Sequence, residues 1–345
     1  MSSPRLVRKD HLVVIAIIST LVISISSISN YGYFDMTKVV YGQLDSNQTN
    51  SNTTNSLDIQ NISLKKVHVG DIDVAYKMFG KGDPILLIQG LGGSMDSWEP
   101  SILKELSSNH TVIIFNNRGV GNTTTGTKQF SIQQFANDTA GLLDGLKIQK
   151  ADVMGHSMGS FIAQQLAVTH PKKVNRLILV SSMCGEKESI PPGPENLKLG
   201  KKLVSSIVNN TPMEPQEIKT SLSLSYGPTW IKLHPNFLKT IPTNPKDLKP
   251  SGITPNAYRQ HFNAVQNWES TNWSGVCSQL PNISKPTLVI TGTEDGSISA
   301  ANSLIIAGKI PEAWLVQIPA AGHSLMDQYP DKFNKILQTF LTTTS

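Results

Sequence analysis

From Ser63 to the C-terminus, apolar runs of strand length alternate with amphipathic runs of helix length. This pattern predicts a mainly parallel sheet with helices on both faces, because parallel neighbours need a crossover between them and continuously apolar strands need cover on both sides. Eight segments read as strands: SLKKVHV from Ser63, DVAYKMF from Asp73, ILLIQG from Ile85, TVIIFNN from Thr111, ADVMGH from Ala151, NRLILVSS from Asn175, PTLVITG from Pro286 and AWLVQIP from Ala313. The clearest helix runs from Ser131 to Leu146. There Ile132, Phe135, Ala136, Ala140, Leu142, Leu143 and Leu146 recur at helical spacing, and Ser131 offers an N-cap. Further helices are expected after Ser157, Ser297 and Asp331. Between Cys184 and Pro281 the alternation stops. This stretch, rich in Pro, Lys, Asn and Trp with short helical pieces, reads as an inserted lid. The expected fold class is α/β, with a core formed by residues 62–183 and 284–345 and a helical cap inserted at 184–283.

Composition narrows the function classes. Hydrophobic residues make up 39% of the 345, enough for a substantial core, and two cysteines cannot staple a disulfide-rich scaffold. Cys184 and Cys277 leave one disulfide and two separate buried thiols both open. The net charge of +5 is carried by scattered lysines without aromatic interleaving, which points to solubility and to no nucleic-acid partner.

Arg5, Arg8 and Lys9 precede the uncharged run Leu12 to Ile28, between a signal-peptide core and a minimal membrane span in length. Residues 1–35 are therefore expected to be a cleaved signal or a retained anchor. The preceding positive charge sends the body across the membrane, to an extracytoplasmic location, and this segment is the only expected membrane contact. Ser27 and Ser29 satisfy a small-residue rule, but no Ala-x-Ala occurs, so both fates stay open. Residues 36–61, whose stretch Gln43 to Asn61 is polar and of low complexity, read as a flexible tether. Asn-x-Ser/Thr sequons begin at Asn47, Asn52, Asn61, Asn109, Asn122, Asn137, Asn209, Asn272 and Asn282, a number that an Asn- and Thr-rich composition also produces.

The sharpest local signal is Gly155-His156-Ser157-Met158-Gly159, set between an apolar strand and the helical run FIAQQLAV. A serine in such a turn sits in strained backbone, and the residues two before and two after it must lack side chains for strand and helix to approach. A serine hydroxyl needs a base to take its proton and a carboxylate to orient that base. Asp295, in the turn after the strand PTLVITG, is the candidate acid. Glu294 is its neighbouring rival, with a side chain expected to point away from the direction Asp295 takes. His323, closing the small-residue loop Ala320-Ala321-Gly322-His323 after the last strand, is the candidate base. The other seven histidines form no metal-ligand spacing, and no metal is expected. Two N–H donors for an oxyanion are expected from Leu91, in Gln89-Gly90-Leu91-Gly92-Gly93, and from Met158. The same loop fails as a dinucleotide fingerprint because Met95 takes the third glycine position. Gly121 to Lys128 fails as a phosphate loop because Thr127 stands where lysine is needed.

Taken together, ILLIQGLGGS, FNNRGVGNT, FANDTAGLLDGL, VMGHSMGS, the TGTED strand end and AGHS resemble the α/β-hydrolase fold superfamily, in its serine-nucleophile branch with a helical cap. The resemblance implies a triad of Ser157, Asp295 and His323, an oxyanion hole from the N–H groups of Leu91 and Met158, no cofactor, and hydrolysis of a small-molecule ester or similar acyl substrate. Lactonase, C–C bond hydrolase and perhydrolase chemistry use the same triad, and a non-catalytic surface ligand-binding module is the reading from another class. Two positions depart from many members: Gln89 stands in place of His, and Asn117 in place of Asp. Trp230, Trp268, Trp273 and Phe262 are candidates to line an apolar pocket, with packing between cap helices as the competing role.

Overall fold

The computed structural model describes residues 59–209, 211, 214–237, 252–270 and 275–344. Residues 1–35, expected to target a membrane, and all but the last three residues of the expected tether lie outside these. Among the described residues no helix is long and apolar enough to cross a membrane. Ile59, assigned to the tether, is instead buried in the core, and its carbonyl accepts a hydrogen bond from the Lys77 Nζ at 3.0 Å.

The body opens with a hairpin of β1 (Lys65–Val69) and β2 (Ile72–Gly80), continues into β3 (Asp83–Ile88), and reaches β4 (His110–Phe115) through helix α1 (Pro100–Ser107). Helix α2 (Ile132–Gly145), N-capped by the Ser131 side chain as its sequence predicts, leads to β5 (Ala151–His156). Helix α3 (Met158–Thr169) then precedes β6 (Val174–Val180). After β6 come the inserted helices α4 (Pro194–Asn209), α5 (Pro215–Tyr226), α6 (Pro228–Leu233) and α7 (Pro255–Glu269). The core resumes with β7 (Thr287–Gly292), α8 (Ala300–Lys309), β8 (Trp314–Ile318), the short α9 (Leu325–Gln328) and α10 (Pro330–Thr343).

The eight strands form one sheet in the order β1-β2-β4-β3-β5-β6-β7-β8. Only β2 runs against the rest, since its pairings with β1 and β4 are antiparallel and all others beyond them are parallel. Because successive side chains of a strand leave on opposite faces, β3 sends Leu86 and Ile88 to one core layer and Ile85 and Leu87 to the other. The first layer packs under α2, α3 and α8, the second under α1 and α10. From β3 the chain moves outward to β4, then returns to β5 on the other side of β3. Such a switch opens a crevice beyond the carboxyl ends of β3 and β5.

The insertion is tied at its base by a disulfide between Cys184 and Cys277, whose Cα atoms are 4.8 Å apart across 93 residues of sequence. Of the two cysteine states left open by the sequence, the bonded one is found.

The loop after β4 is held by buried charge. Arg118, with a fully buried guanidinium, donates from Nε and Nη2 to Asp138 at 2.8 Å and from Nη1 and Nη2 to Asp71 at 2.9 and 2.7 Å. These bonds hold the Asp71 carboxyl well below the usual carboxylate range. Asp71 also accepts the N–H groups of Thr127 and Lys128, so the segment that failed as a phosphate loop is pinned as a surface turn. Arg118→Met would leave the buried Asp138 carboxylate without its counter-charge, with only the Gln134 amide at 2.8 Å still donating to it, and is expected to cost about 3–5 kcal/mol in urea unfolding. A loss below about 1 kcal/mol would contradict this role for the network.

Candidate active site

Ser157 follows β5 directly and stands at φ +55°, ψ −126°, the strained turn its flanking glycines predict. The two glycines are sterically required. A Cβ on Gly155 would lie 2.2 Å from the Gly159 carbonyl oxygen, and one on Gly159 would lie 2.0 Å from the Ile88 carbonyl oxygen. The Ser157 N–H bonds the Val180 carbonyl at 3.0 Å, and its carbonyl accepts from Ser160 N at 2.8 Å and Ser160 Oγ at 2.6 Å. The turn is thus fixed from both sides, leaving Oγ as the one part of Ser157 without a hydrogen bond among the described residues.

Asp295 lies just past β7 with its carboxylate fully buried. Oδ1 accepts the N–H groups of Ser297 and Ile298 at 2.9 and 2.8 Å, which fixes the carboxylate plane. His323 Nδ1 then stands 2.9 Å from Oδ2 and 3.1 Å from Oδ1. A carboxylate only accepts, so Nδ1 carries the proton and Nε2 is the basic nitrogen. Glu294 is turned elsewhere: its Oε2 accepts the Thr229 N–H at 2.8 Å, tying the insertion to the core. The adjacent carboxylates thus divide, one orienting the histidine and the other holding α6.

The His323 backbone carbonyl accepts from His156 Nε2 at 3.1 Å and from Ser181 Oγ at 3.4 Å. Burial, then the neighbouring His323, push the His156 ring down to about 4, so it stays a neutral donor. For His323 burial opposes protonation, but the Asp295 carboxylate, with a smaller contribution from Glu269, holds the ring above its ordinary value. Glu269, at the C-terminal end of α7, is itself pushed up to about 7 by burial, against the Gln266 hydrogen bond. No hydrogen bond joins Ser157 Oγ to His323, a contact that in many such sites tightens only with substrate in place.

The loop after β3 turns sharply over the serine. Gly93 N–H bonds the Gly90 carbonyl at 3.1 Å, and Gly92, at φ +67°, supplies the left-handed corner. A Cβ on Gly90 would come within 3.6 Å of Ser157 Oγ. Leu91 sits on this turn and Met158 is the first residue of α3. Neither N–H has a protein acceptor among the described residues. The two departures noted in the sequence work together here, as Asn117 Nδ2 donates to the Gln89 carbonyl at 3.1 Å and Gln89 Oε1 folds back on Gly90 N at 3.2 Å.

The insertion docks on the loops that carry Asp295 and His323. Gly296 N–H bonds the Leu224 carbonyl at 3.1 Å, Ser324 N–H the Ser225 carbonyl at 2.8 Å, and Gln328 Nε2 the Tyr226 carbonyl at 2.6 Å. The aromatic residues expected near a pocket mostly pack the insertion. Trp268 is buried and stacks on Phe161 with centroids 5.7 Å apart, and Trp230 packs against Tyr226, His234 and Phe237. Phe262 is half-buried on the side of α7 that faces Gly200, and Trp273 lies outside the described residues. Glu269 and His261 drew no role from sequence, because a lone polar residue on an amphipathic helix carries no local signal. Among the described residues no three His, Cys, Asp or Glu side chains group as a metal-ligand set.

Comparison with known proteins bears on the fold. A family profile for the alpha/beta hydrolase fold matches residues 83–330. A candidate carbamate hydrolase, RutD of Azorhizobium caulinodans, is 26% identical over 281 residues, covering 79% of this chain and 96% of its own. A thermophilic esterase from Thermogutta terrifontis superposes with a TM-score of 0.66 at 22% identity, over 82% of this chain and 99% of that one. The enol-lactonase of Burkholderia xenovorans does so with a TM-score of 0.66 at 23% identity, over 81% of this chain and 100% of that one. The two structures are alike in fold.

Proposed function

Because the chain belongs to the α/β-hydrolase fold family, and is a hydrolase of that fold, we propose that it cleaves a carboxylic ester or similar acyl bond through an acyl-enzyme at Ser157. One observation carries this reading: His323 Nδ1 is locked to the buried Asp295 carboxylate at 2.9 Å, while Ser157 stands on a strained turn at the carboxyl end of β5 in the same sheet. Ser157 Oγ attacks the acyl carbon and gives its proton to His323 Nε2. The Leu91 and Met158 N–H groups meet the negative charge that forms on the carbonyl oxygen. The carbon–oxygen bond to the leaving group breaks, and His323 returns the proton to the departing alcohol. Water then attacks the acyl-enzyme, His323 takes its proton, and the acid leaves as that proton returns to Ser157.

The substrate bond is tested by comparing full-length protein on p-nitrophenyl esters of rising acyl length, a p-nitrophenyl carbamate and a lactone. The ester series is expected to give the highest kcat/KM. A carbamate, the bond named for the Azorhizobium relative, is the second reading, and preference for it by tenfold or more would replace the first.

The acid limb of the pH profile follows from the electrostatics. Protonated His323 accepts no proton, so kcat/KM falls as pH drops through its pKa, above the ordinary value of about 6.5. The Glu269 carboxylate favours the protonated ring, so Glu269→Gln is expected to move this limb to lower pH. An unchanged or higher midpoint in the pH–rate profile would contradict that coupling.

The location belongs to the same proposal. A body outside the cytoplasm, anchored or released by residues 1–35, is supported by the basic-then-apolar N-terminus and by the Cys184–Cys277 disulfide. Protease treatment of intact expressing cells is expected to degrade the body, and full protection would contradict the location.

A further inference from the structure

His261 lies in the middle of α7, fully buried, on the face that also presents Ala257, Tyr258, Ala264, Val265 and Trp268 to the core. Its two ring nitrogens reach two different loops. Nε2 stands 2.8 Å from the Arg118 carbonyl oxygen, after β4, and Nδ1 stands 3.5 Å from Gly92 N, after β3. A carbonyl only accepts, so Nε2 carries the proton. Nδ1 is then the bare nitrogen, and it accepts the Gly92 N–H. The ring is wedged between Phe130 and Phe135, with centroids 5.6 and 4.9 Å away, so it has one orientation as well as one tautomer. Burial pushes it down to about 4, which keeps it neutral through the pH range in which such a site would work.

Gly92 is the corner of the turn that presents Leu91. That turn is held at its start by Asn117 on the Gln89 carbonyl and across its middle by Gly93 on Gly90. The Met95 N–H bonds Asn116 Oδ1 at 2.7 Å beyond the turn, and a further hold, on the Gly92 corner itself, comes from outside the core, on the inserted helix. We propose that His261 is a positioning residue for the oxyanion loop: by accepting the Gly92 N–H it keeps the Leu91 N–H directed at Ser157, so that docking of α7 completes the oxyanion hole. The inference rests on the reading of Ser157 as nucleophile and Leu91 as donor.

Two conservative variants of the full-length protein separate the two bonds. An asparagine amide reaches about as far as Nδ1, so His261→Asn keeps an acceptor for Gly92. A glutamine amide reaches about as far as Nε2, so His261→Gln keeps a donor for Arg118 and loses the Gly92 contact. His261→Gln is expected to lower kcat for p-nitrophenyl butyrate by about 10–100-fold with KM nearly unchanged, less than outright loss of an oxyanion donor. His261→Asn is expected to stay much closer to wild type. Amide hydrogen exchange over residues 89–95 reads the loop without any substrate, and should quicken in His261→Gln but not in His261→Asn. Unchanged exchange in His261→Gln overturns the proposal, as does quickened exchange with unchanged kcat. Variants that show this exchange pattern while the wild-type protein cleaves no acyl substrate would sink the reading of Ser157 instead, and with it the catalytic part of this inference.

Discussion

Ser157→Ala is expected to abolish ester hydrolysis, lowering kcat by about 10⁶-fold while the protein unfolds at the same urea concentration as wild type. The size follows from the role, since removing the nucleophile removes the whole acyl-enzyme route and leaves only binding and the oxyanion donors. The unchanged stability follows from the local structure. Ser157 Oγ makes no hydrogen bond among the described residues, so its removal orphans no partner. Alanine also meets the same steric conflict at φ +55° that serine does. A large loss of activity with a large loss of stability would mean that the side chain holds the turn together, contrary to the bonds seen there.

Asp295→Asn is expected to cost about 10⁴-fold in kcat with little change in KM. Asparagine keeps an oxygen for the Ser297 and Ile298 N–H groups, so the loop stays in place. Its NH₂ then faces His323 Nδ1. That nitrogen must become the acceptor, the proton moves to Nε2, and the ring no longer has a lone pair for Ser157. Glu294→Gln is the control. Its side chain bonds Thr229 on the insertion, and glutamine still offers an acceptor there, so activity should stay near wild type. If instead Glu294→Gln gave the large loss and Asp295→Asn the small one, the acid would be misassigned.

These expectations trace to features of unequal visibility in the sequence. The central strands were legible because strands buried on both faces read as unbroken apolar runs. β3 begins at Asp83, two residues before its apolar run starts, since pairing with β4 needs backbone groups and not apolar side chains. Helix α1 went unread because Pro100 and the Glu99 cap, which start it, resemble a turn until the buried Ile102, Leu103 and Leu106 are seen. Ser157 was legible because its strain demands glycines at fixed spacing. Asp295 and His323 were legible through their positions just past strand ends. Glu294 was set apart from Asp295 by the direction its side chain was expected to take, and the two carboxylates have different partners, His323 for Asp295 and Thr229 for Glu294. The disulfide and the His261 bridge are contacts between distant parts of the chain, 93 and 169 residues apart, and no local pattern announces them.

The central claim is that Ser157 is the nucleophile, and its most direct test is the site of covalent labelling by a fluorophosphonate, read by mass spectrometry of the digested full-length protein. The expected result is one label per chain on the peptide carrying Gly155 to Gly159, at Ser157, with labelling greatly slowed in His323→Ala. Ester hydrolysis that persists while Ser157 stays unlabelled, or a label that maps to another serine and abolishes activity, would contradict it.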